Sequence, residues 1–109
     1  MLNINGMIWR IYLVSPNHPM LLRDNGILAV GVCDRDTRSI YINEYVDEDF
    51  MKKILCHEIT HAAMYSYEII LSEEQEEIIA DLIATYGEEI VEETNIIFHR
   101  IKKRELTIK

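Results

Sequence analysis

Two histidines four residues apart, with a glutamate directly after the first, form the most informative stretch of this chain. The stretch reads Cys56-His57-Glu58-Ile59-Thr60-His61, an HExxH motif. Residues four apart on a helix project from one face, so the imidazoles of His57 and His61 can share one metal ion, for which zinc is the expected candidate. Glu58 lies beside that face, where its carboxylate can take a proton from a water molecule and pass it to a leaving amine.

The residues around the motif indicate that its helix is largely buried. From Ile54 to Tyr67 the only formally charged residue is Glu58, and apolar residues point in every direction around the helix. A buried carboxylate and two buried imidazoles need partners, because leaving them unpaired costs several kcal/mol. A zinc ion and its water would satisfy all three groups. The alternative is a pair of core histidines bonded to backbone carbonyls.

A zinc site of this kind needs a third protein ligand and an open position for water. The next predicted helix carries the candidates, which are Glu73, Glu74, Glu76, Glu77 and Asp81. Its large apolar residues share one face, and the opposite side carries Glu77 and Asp81 together with two alanines that would allow a close helix approach. On spacing alone, an ordinary solvent-exposed face explains this side equally well.

The combination of His57-Glu58-x-x-His61 with Glu77-x-x-x-Asp81 resembles the gluzincin zinc metallopeptidases. It is more closely similar to the ImmA/IrrE-type metallopeptidases of phages and mobile elements, in which HExxH is followed by a helix reading Glu-x-x-Ala-Asn/Asp. Residues 77 to 81 match that second motif, and the resemblance covers roughly residues 37 to 87. It implies that Glu77 is the third zinc ligand and that Asp81 supports a ligand histidine.

Apolar segments in the first half of the chain predict three β-strands: Met7 to Val14, Ile27 to Cys33, and Arg38 to Asn43. These segments are rich in Ile, Val and Tyr and are bounded by turn-forming residues. Residues 34 to 37 are polar and predict a hairpin turn. Residues 15 to 25 predict an irregular connection.

The second half of the chain predicts two helices. Asp47 is the expected N-cap of a helix that runs to about Tyr67. Ser72 and Gln75 have the spacing of a capping box, and apolar residues follow Gln75 at helical spacing. Gly87 is expected to end or to weaken this second helix, although the helical pattern resumes from Ile96.

Composition excludes several classes of function. The chain has 11 basic and 19 acidic residues and a formal net charge of -8, which repels nucleic-acid phosphates and anionic membrane surfaces. No Lys or Arg lies between Lys53 and Arg100, and the basic cluster that begins at Arg100 is interpreted as a basic helix end. Cys33 and Cys56 lack the paired spacing of a disulfide framework or a Cys-type zinc site. A cytoplasmic protein without nucleic-acid or membrane partners is expected.

These features predict one domain over residues 1–109 with an α+β, minimal zincin-like fold. A small, mostly antiparallel sheet would pack on the HExxH helix, and the second helix would supply the third ligand. The expected activity is zinc-dependent hydrolysis of a peptide bond in a protein or peptide substrate. The substrate would add as a strand to a sheet edge, for which Arg38 to Asn43 is the candidate. The possible oxyanion donors are Tyr65, Tyr67, Tyr86 and His99.

The main alternative is a catalytically silent module in which zinc stabilises the fold and an acidic surface binds a partner protein. A water at an open zinc position would favour the enzyme, whereas a fourth protein ligand would favour the binding module. The sequence predicts neither the identity of the substrate nor the oligomeric state.

Overall fold

A four-stranded sheet is followed along the chain by two helices, which gives the α+β class predicted from the sequence. The computed structural model describes residues 1–105. The strands are β1 (Leu2–Ile4), β2 (Met7–Val14), β3 (Gly31–Asp34) and β4 (Ser39–Asn43), with one 3-10 turn at Pro19–Leu21 between β2 and β3. The helices are α1 (Glu48–Ser66) and α2 (Glu73–Lys102).

The sheet is mixed, with the strand order β1-β2-β4-β3. The β1–β2 and β3–β4 pairs are antiparallel, and the central β2–β4 pair is parallel, with Arg10 opposite Ser39 and Val14 opposite Asn43. The mostly antiparallel sheet that the sequence predicted is therefore interrupted at its centre by one parallel pair.

Strand β4 is an interior strand, so the prediction that Arg38 to Asn43 forms a sheet edge is wrong. The strand is bonded to β2 on one side and to β3 on the other. Its residues Ser39, Ile40 and Ile42 are buried, as expected for a strand at the centre of a covered sheet. Arg38 itself has a φ of 51° and belongs to the turn before β4. The sheet edges are β1 and β3.

Strand β3 begins later than the predicted segment Ile27 to Cys33, because Ala29 bonds to the preceding 3-10 turn. The Ala29 N–H donates to the Leu21 carbonyl at 2.7 Å, and Leu21 is fully buried. Ile27 remains 64% exposed, so it contributes no apolar side chain to the sheet. Four residues, Gly31–Asp34, are left to pair with β4.

Strand β1 was not predicted from the sequence. A two-residue turn, Asn5-Gly6, joins it to β2, with φ values of 50° and 81°. Positive φ at both central positions matches a type I′ hairpin turn, which favours Asn-Gly.

Both predicted helix starts are confirmed. The Asp47 carboxylate accepts a hydrogen bond from the Phe50 N–H at 2.9 Å, and Ser72 and Gln75 form the reciprocal capping box. Helix α2 passes through Gly87 without a break. Within residues 1–105, no helix has the length and apolar character needed to cross a bilayer.

The core lies between α1 and the sheet. Its buried apolar residues are Trp9, Ile40, Ile42, Ile54 and Ala62. From Ile54 to Ser66 every residue of α1 except Tyr65 is buried or half-buried, which confirms the prediction for the part of α1 that carries HExxH.

Polar contacts anchor the end of α1 on the β1–β2 hairpin. The Trp9 indole N–H donates to Ser66 Oγ at 2.8 Å, and the Asn5 side-chain amide donates to the Ser66 carbonyl at 2.9 Å. These contacts and the core together fix the rotation of α1 about its own axis. That rotation determines the direction in which His57 and His61 point.

Candidate metal centre

Two histidines of α1 and one glutamate of α2 form a group that can hold a metal ion. One ligand atom from each of His57, His61 and Glu77 lies within 4.8 Å of the others. The two Nε2 atoms are 3.2 Å apart. Glu77 Oε1 lies 2.9 Å from His61 Nε2, and Glu77 Oε2 lies 3.1 Å from His57 Nε2.

These separations fit a tetrahedral zinc site. Bonds of about 2.0–2.1 Å at a tetrahedral angle place neighbouring ligand atoms about 3.3 Å apart. The three measured separations, from 2.9 to 3.2 Å, differ from that value by a few tenths of an ångström. Two nitrogens and one carboxylate are also a donor set that zinc accepts.

The outward nitrogen of each imidazole faces a carboxylate. His57 Nδ1 lies 3.0 Å from Asp81 Oδ1, and His61 Nδ1 lies 2.7 Å from Glu76 Oε1. With the proton on Nδ1, each ring donates to its carboxylate and presents the Nε2 lone pair to the common centre. Two lone pairs and a carboxylate facing one another repel, so the arrangement is suited to a cation at that centre.

Glu76 takes a role that the sequence did not predict. It is 5% exposed, and it accepts hydrogen bonds from both His61 and Arg35. Burial alone raises the pKa of Glu76, but the hydrogen bonds from Arg35 and His61 outweigh burial and hold it below its usual value. The hydrogen bond to Glu76 raises the pKa of Arg35. Glu76 is therefore an ionised acceptor that orients the His61 ring.

Glu58 lies on the buried side of α1, next to strand β3. It is 7% exposed. Burial raises the pKa of Glu58 to about 7, a rise enhanced by the Glu77 carboxylate and opposed by His57 and Arg23. A carboxyl group that titrates near neutral pH can both accept and return a proton at that pH, which is the property required of a general acid/base. Gly31 faces it: a Cβ at Gly31 would lie 3.2 Å from Glu58 Oε2.

Two cavities meet at Glu58. One, of about 340 Å³, is polar and contains His61, Glu77 and two arginines, Arg23 and Arg35. The other is predominantly apolar and is lined by His57 and by residues of the β3 and α1 surfaces, among them Val30, Gly31, Phe50 and Ile54. The centre is thus accessible from both sides of Glu58.

Cys33 lines the polar cavity without the properties of a reactive thiol. Burial, reinforced by the Glu58 carboxylate, raises its pKa to about 12. The thiol therefore stays protonated at neutral pH, when it is a poor nucleophile and a poor metal ligand.

The other candidates from the sequence lie away from the three-residue group. Glu73 lines the polar cavity, and Glu74 is exposed on α2. The four possible oxyanion donors lie outside both cavities: Tyr65 packs edge-on against Trp9, Tyr67 caps the end of α1, and Tyr86 and His99 are exposed on α2. Among the described residues, the donors that line the polar cavity are Arg23 and Arg35.

Comparison of the chain with protein-family models, with curated proteins and with solved structures returns no match.

Proposed function

We propose that this protein is a zinc-dependent metallopeptidase with a minimal zincin-like fold, which hydrolyses a peptide bond in a specific protein substrate. The observation that carries the proposal is the convergence of His57 Nε2, His61 Nε2 and the Glu77 carboxylate beside a buried Glu58. The HExxH motif supplies three of these four residues. The resemblance to phage and mobile-element metallopeptidases supports a protein encoded by such an element.

His57 and His61 of α1 and Glu77 of α2 would hold the zinc ion as its three protein ligands. A catalytic zinc site with three protein ligands keeps its fourth position for water or substrate. When bound, zinc would polarise the scissile carbonyl and lower the pKa of a water molecule.

The role of Glu58 is to move a proton. Its carboxylate accepts the proton of the attacking water, and the resulting carboxyl group gives that proton to the leaving nitrogen. Burial raises the pKa of Glu58, which makes its carboxylate a stronger base than an exposed one. Asp81 and Glu76 hold the proton on Nδ1 of each imidazole, so that both Nε2 atoms remain available to the metal.

Strand β3 is the edge that a substrate strand would use. It is bonded to β4 on one side only, and Gly31 brings its backbone directly against Glu58. A peptide added along β3 would run past the apolar cavity and the polar cavity in turn. The proposal thus favours a substrate with an apolar side chain on one side of the scissile bond.

The test compares wild type with Glu58→Gln, which keeps the shape of the side chain and removes the basic oxygen. Zinc-loaded proteins are incubated with a peptide library prepared from a whole proteome, and new peptide termini are identified by mass spectrometry. Glu74→Gln is the matched control because Glu74 is exposed on α2 and the change in charge is the same. We expect termini from wild type and Glu74→Gln, and at least about 10²-fold fewer from Glu58→Gln.

The zinc content of the same samples separates the enzyme from a zinc-stabilised binding module. We expect about one zinc per chain in wild type and Glu58→Gln, and none in the His57→Ala, His61→Ala double variant. If zinc-loaded wild type produces no more termini than Glu58→Gln, both from the library and in cells that express the natural partner, the peptidase proposal is overturned. The zinc-stabilised binding module then takes its place.

A further inference from the structure

The C-terminal half of α2 exposes a row of apolar residues. Helix α2 continues to Lys102, whereas its buried residues, Glu76 and Ala80, both lie in its first three turns. Farther along, Ile90 is 53% exposed, Val91 59% and Phe98 59%. A solvent-exposed helix of this composition needs an apolar partner.

The row has the spacing of a coiled-coil seam. Its members alternate four and three residues apart: Ile83, Gly87, Ile90, Thr94, Ile97 and Ile101. Thr94 is suited to such a seam because its hydroxyl donates to the Ile90 carbonyl at 2.7 Å, which satisfies the hydroxyl within the helix. Val91 and Phe98 flank the seam on one side and widen its apolar face.

Acidic and basic residues occupy separate parts of this half of α2. Its first part carries Glu88, Glu89, Glu92 and Glu93. Its last turn carries Arg100 and Lys102, and Lys103 and Arg104 follow directly after it. Two copies packed in parallel would place like charges together at both ends. Two copies packed antiparallel would place the acidic part of each against the basic end of the other.

An antiparallel register pairs four of the six seam residues with one another. Pairing Thr94 with Ile97 of a second copy also pairs Ile90 with Ile101. In an antiparallel pair of helices, each position that flanks the seam lies opposite the equivalent heptad position of the partner. Val91 therefore contacts Phe98 on the apolar flank. Glu93 then meets Arg100 on the opposite flank, as an ion pair that occurs twice by symmetry.

We propose that the protein forms an antiparallel homodimer through residues 89–102 of α2, with a second copy of this chain as the partner. The overlap of the two helices is about 21 Å long. The interface uses none of the residues of the candidate metal centre.

Sedimentation equilibrium of the full chain over a range of concentrations tests the dimer. We expect a mass twice the 12.8 kDa of one chain. Ile97→Glu should raise the dissociation constant of the dimer by about 100-fold or more, since it buries an unpaired charge in the seam. The matched control is Ile96→Glu, which changes a neighbouring exposed isoleucine outside the seam and should leave the dimer intact.

A charge exchange tests the orientation. Glu93→Arg and Arg100→Glu should each raise the dissociation constant by about 10-fold, and the double variant should restore it. Far-UV circular dichroism confirms that each variant is folded. A monomer at all concentrations, or equal effects of Ile97→Glu and Ile96→Glu, would overturn the interface. If neither single charge reversal changes the dissociation constant of the dimer, the antiparallel register is overturned.

Discussion

The two imidazoles of the candidate centre are held by carboxylates in very different surroundings. The side chain of Glu76, which binds His61, is 7% exposed, whereas that of Asp81, which binds His57, is 72% exposed. A hydrogen bond is electrostatically stronger in a buried site, and an exposed ion pair is weakened by solvent. Arg35 further fixes Glu76 by donating to the same carboxylate oxygen, Oε1, that His61 contacts. The orientation of His61 is therefore the better determined of the two.

This difference predicts unequal effects on zinc binding. Glu76→Gln should lower the zinc affinity by roughly 10- to 100-fold, as is typical when the partner of a ligand histidine is changed. Asp81→Asn should lower it by less, because its contact is exposed. A competition titration against a coloured zinc chelator measures both constants. The control is Glu74→Gln, which removes the same charge from an exposed position of α2. A larger loss for Asp81→Asn than for Glu76→Gln would contradict the ranking.

The local part of the site was predictable from sequence, and the tertiary part was not. The spacing of His57, Glu58 and His61 on one helix is a property of five consecutive residues. The contact of Arg35 with Glu76 joins the β3–β4 turn to α2 across 41 positions of sequence, and no local pattern predicts it. Every ligand histidine needs an acceptor for its second nitrogen, and this rule alone would have given Glu76 more weight.

Strand β3 and helix α1 approach so closely that one position allows no side chain. A Cβ at Gly31 would lie 2.5 Å from Ile54 Cγ2 and 3.2 Å from Glu58 Oε2. Glycine at this position is required by packing, since its φ does not lie in the left-handed region. The close approach brings the β3 backbone to the candidate catalytic carboxylate.

Gly31→Ala should therefore destabilise the protein by about 1–3 kcal/mol, the usual effect of overpacking a core. The double variant Gly31→Ala, Ile54→Ala removes the methyl group that the new Cβ meets, so its loss should be smaller than the sum of the two single losses. Urea unfolding gives the free energy of unfolding of the wild type, of each single variant and of the double variant. Additive losses would show that the new methyl group does not meet Ile54.

Helices were predicted more accurately than strands, because a helix carries its own boundary signals. Asp47 and Ser72 act on backbone groups within three residues, so sequence alone places both starts. Strand β4 pairs with β2, which lies far from it along the chain, so no local sequence pattern predicts this pairing. Strand β1 is a different case: the Asn5-Gly6 turn between apolar residues is a local hairpin signal that the strand prediction did not use.

At the scale of the whole molecule, α2 extends well beyond the body formed by the sheet and α1. The radius of gyration is 17.1 Å, against about 13 Å for a compact chain of this length. The two buried residues of α2, Glu76 and Ala80, both lie at the metal centre or one turn from it. Binding of a metal by His57, His61 and Glu77 would join α1 to α2 directly.

Removal of zinc should consequently lower the stability of the fold. At a free zinc concentration of 1,000 times the dissociation constant, binding stabilises a folded protein by about 4 kcal/mol. We expect EDTA to lower the melting temperature by at least about 10 °C in calorimetry at fixed protein concentration. The His57→Ala, His61→Ala variant should melt at the same temperature with and without EDTA. Unchanged melting of the wild type in EDTA would show that the site does not hold α2.

The fluorescence of Trp9 can be used to follow the unfolding of this protein. The chain has one tryptophan, and its indole is fully buried and bonded to Ser66 at the end of α1. Its fluorescence therefore comes from a single environment, the contact between the sheet and α1, and shifts to longer wavelength only when that contact opens and water enters. Release of α2 alone would leave the emission unchanged while altering the ellipticity, so recording both signals during unfolding distinguishes the two events.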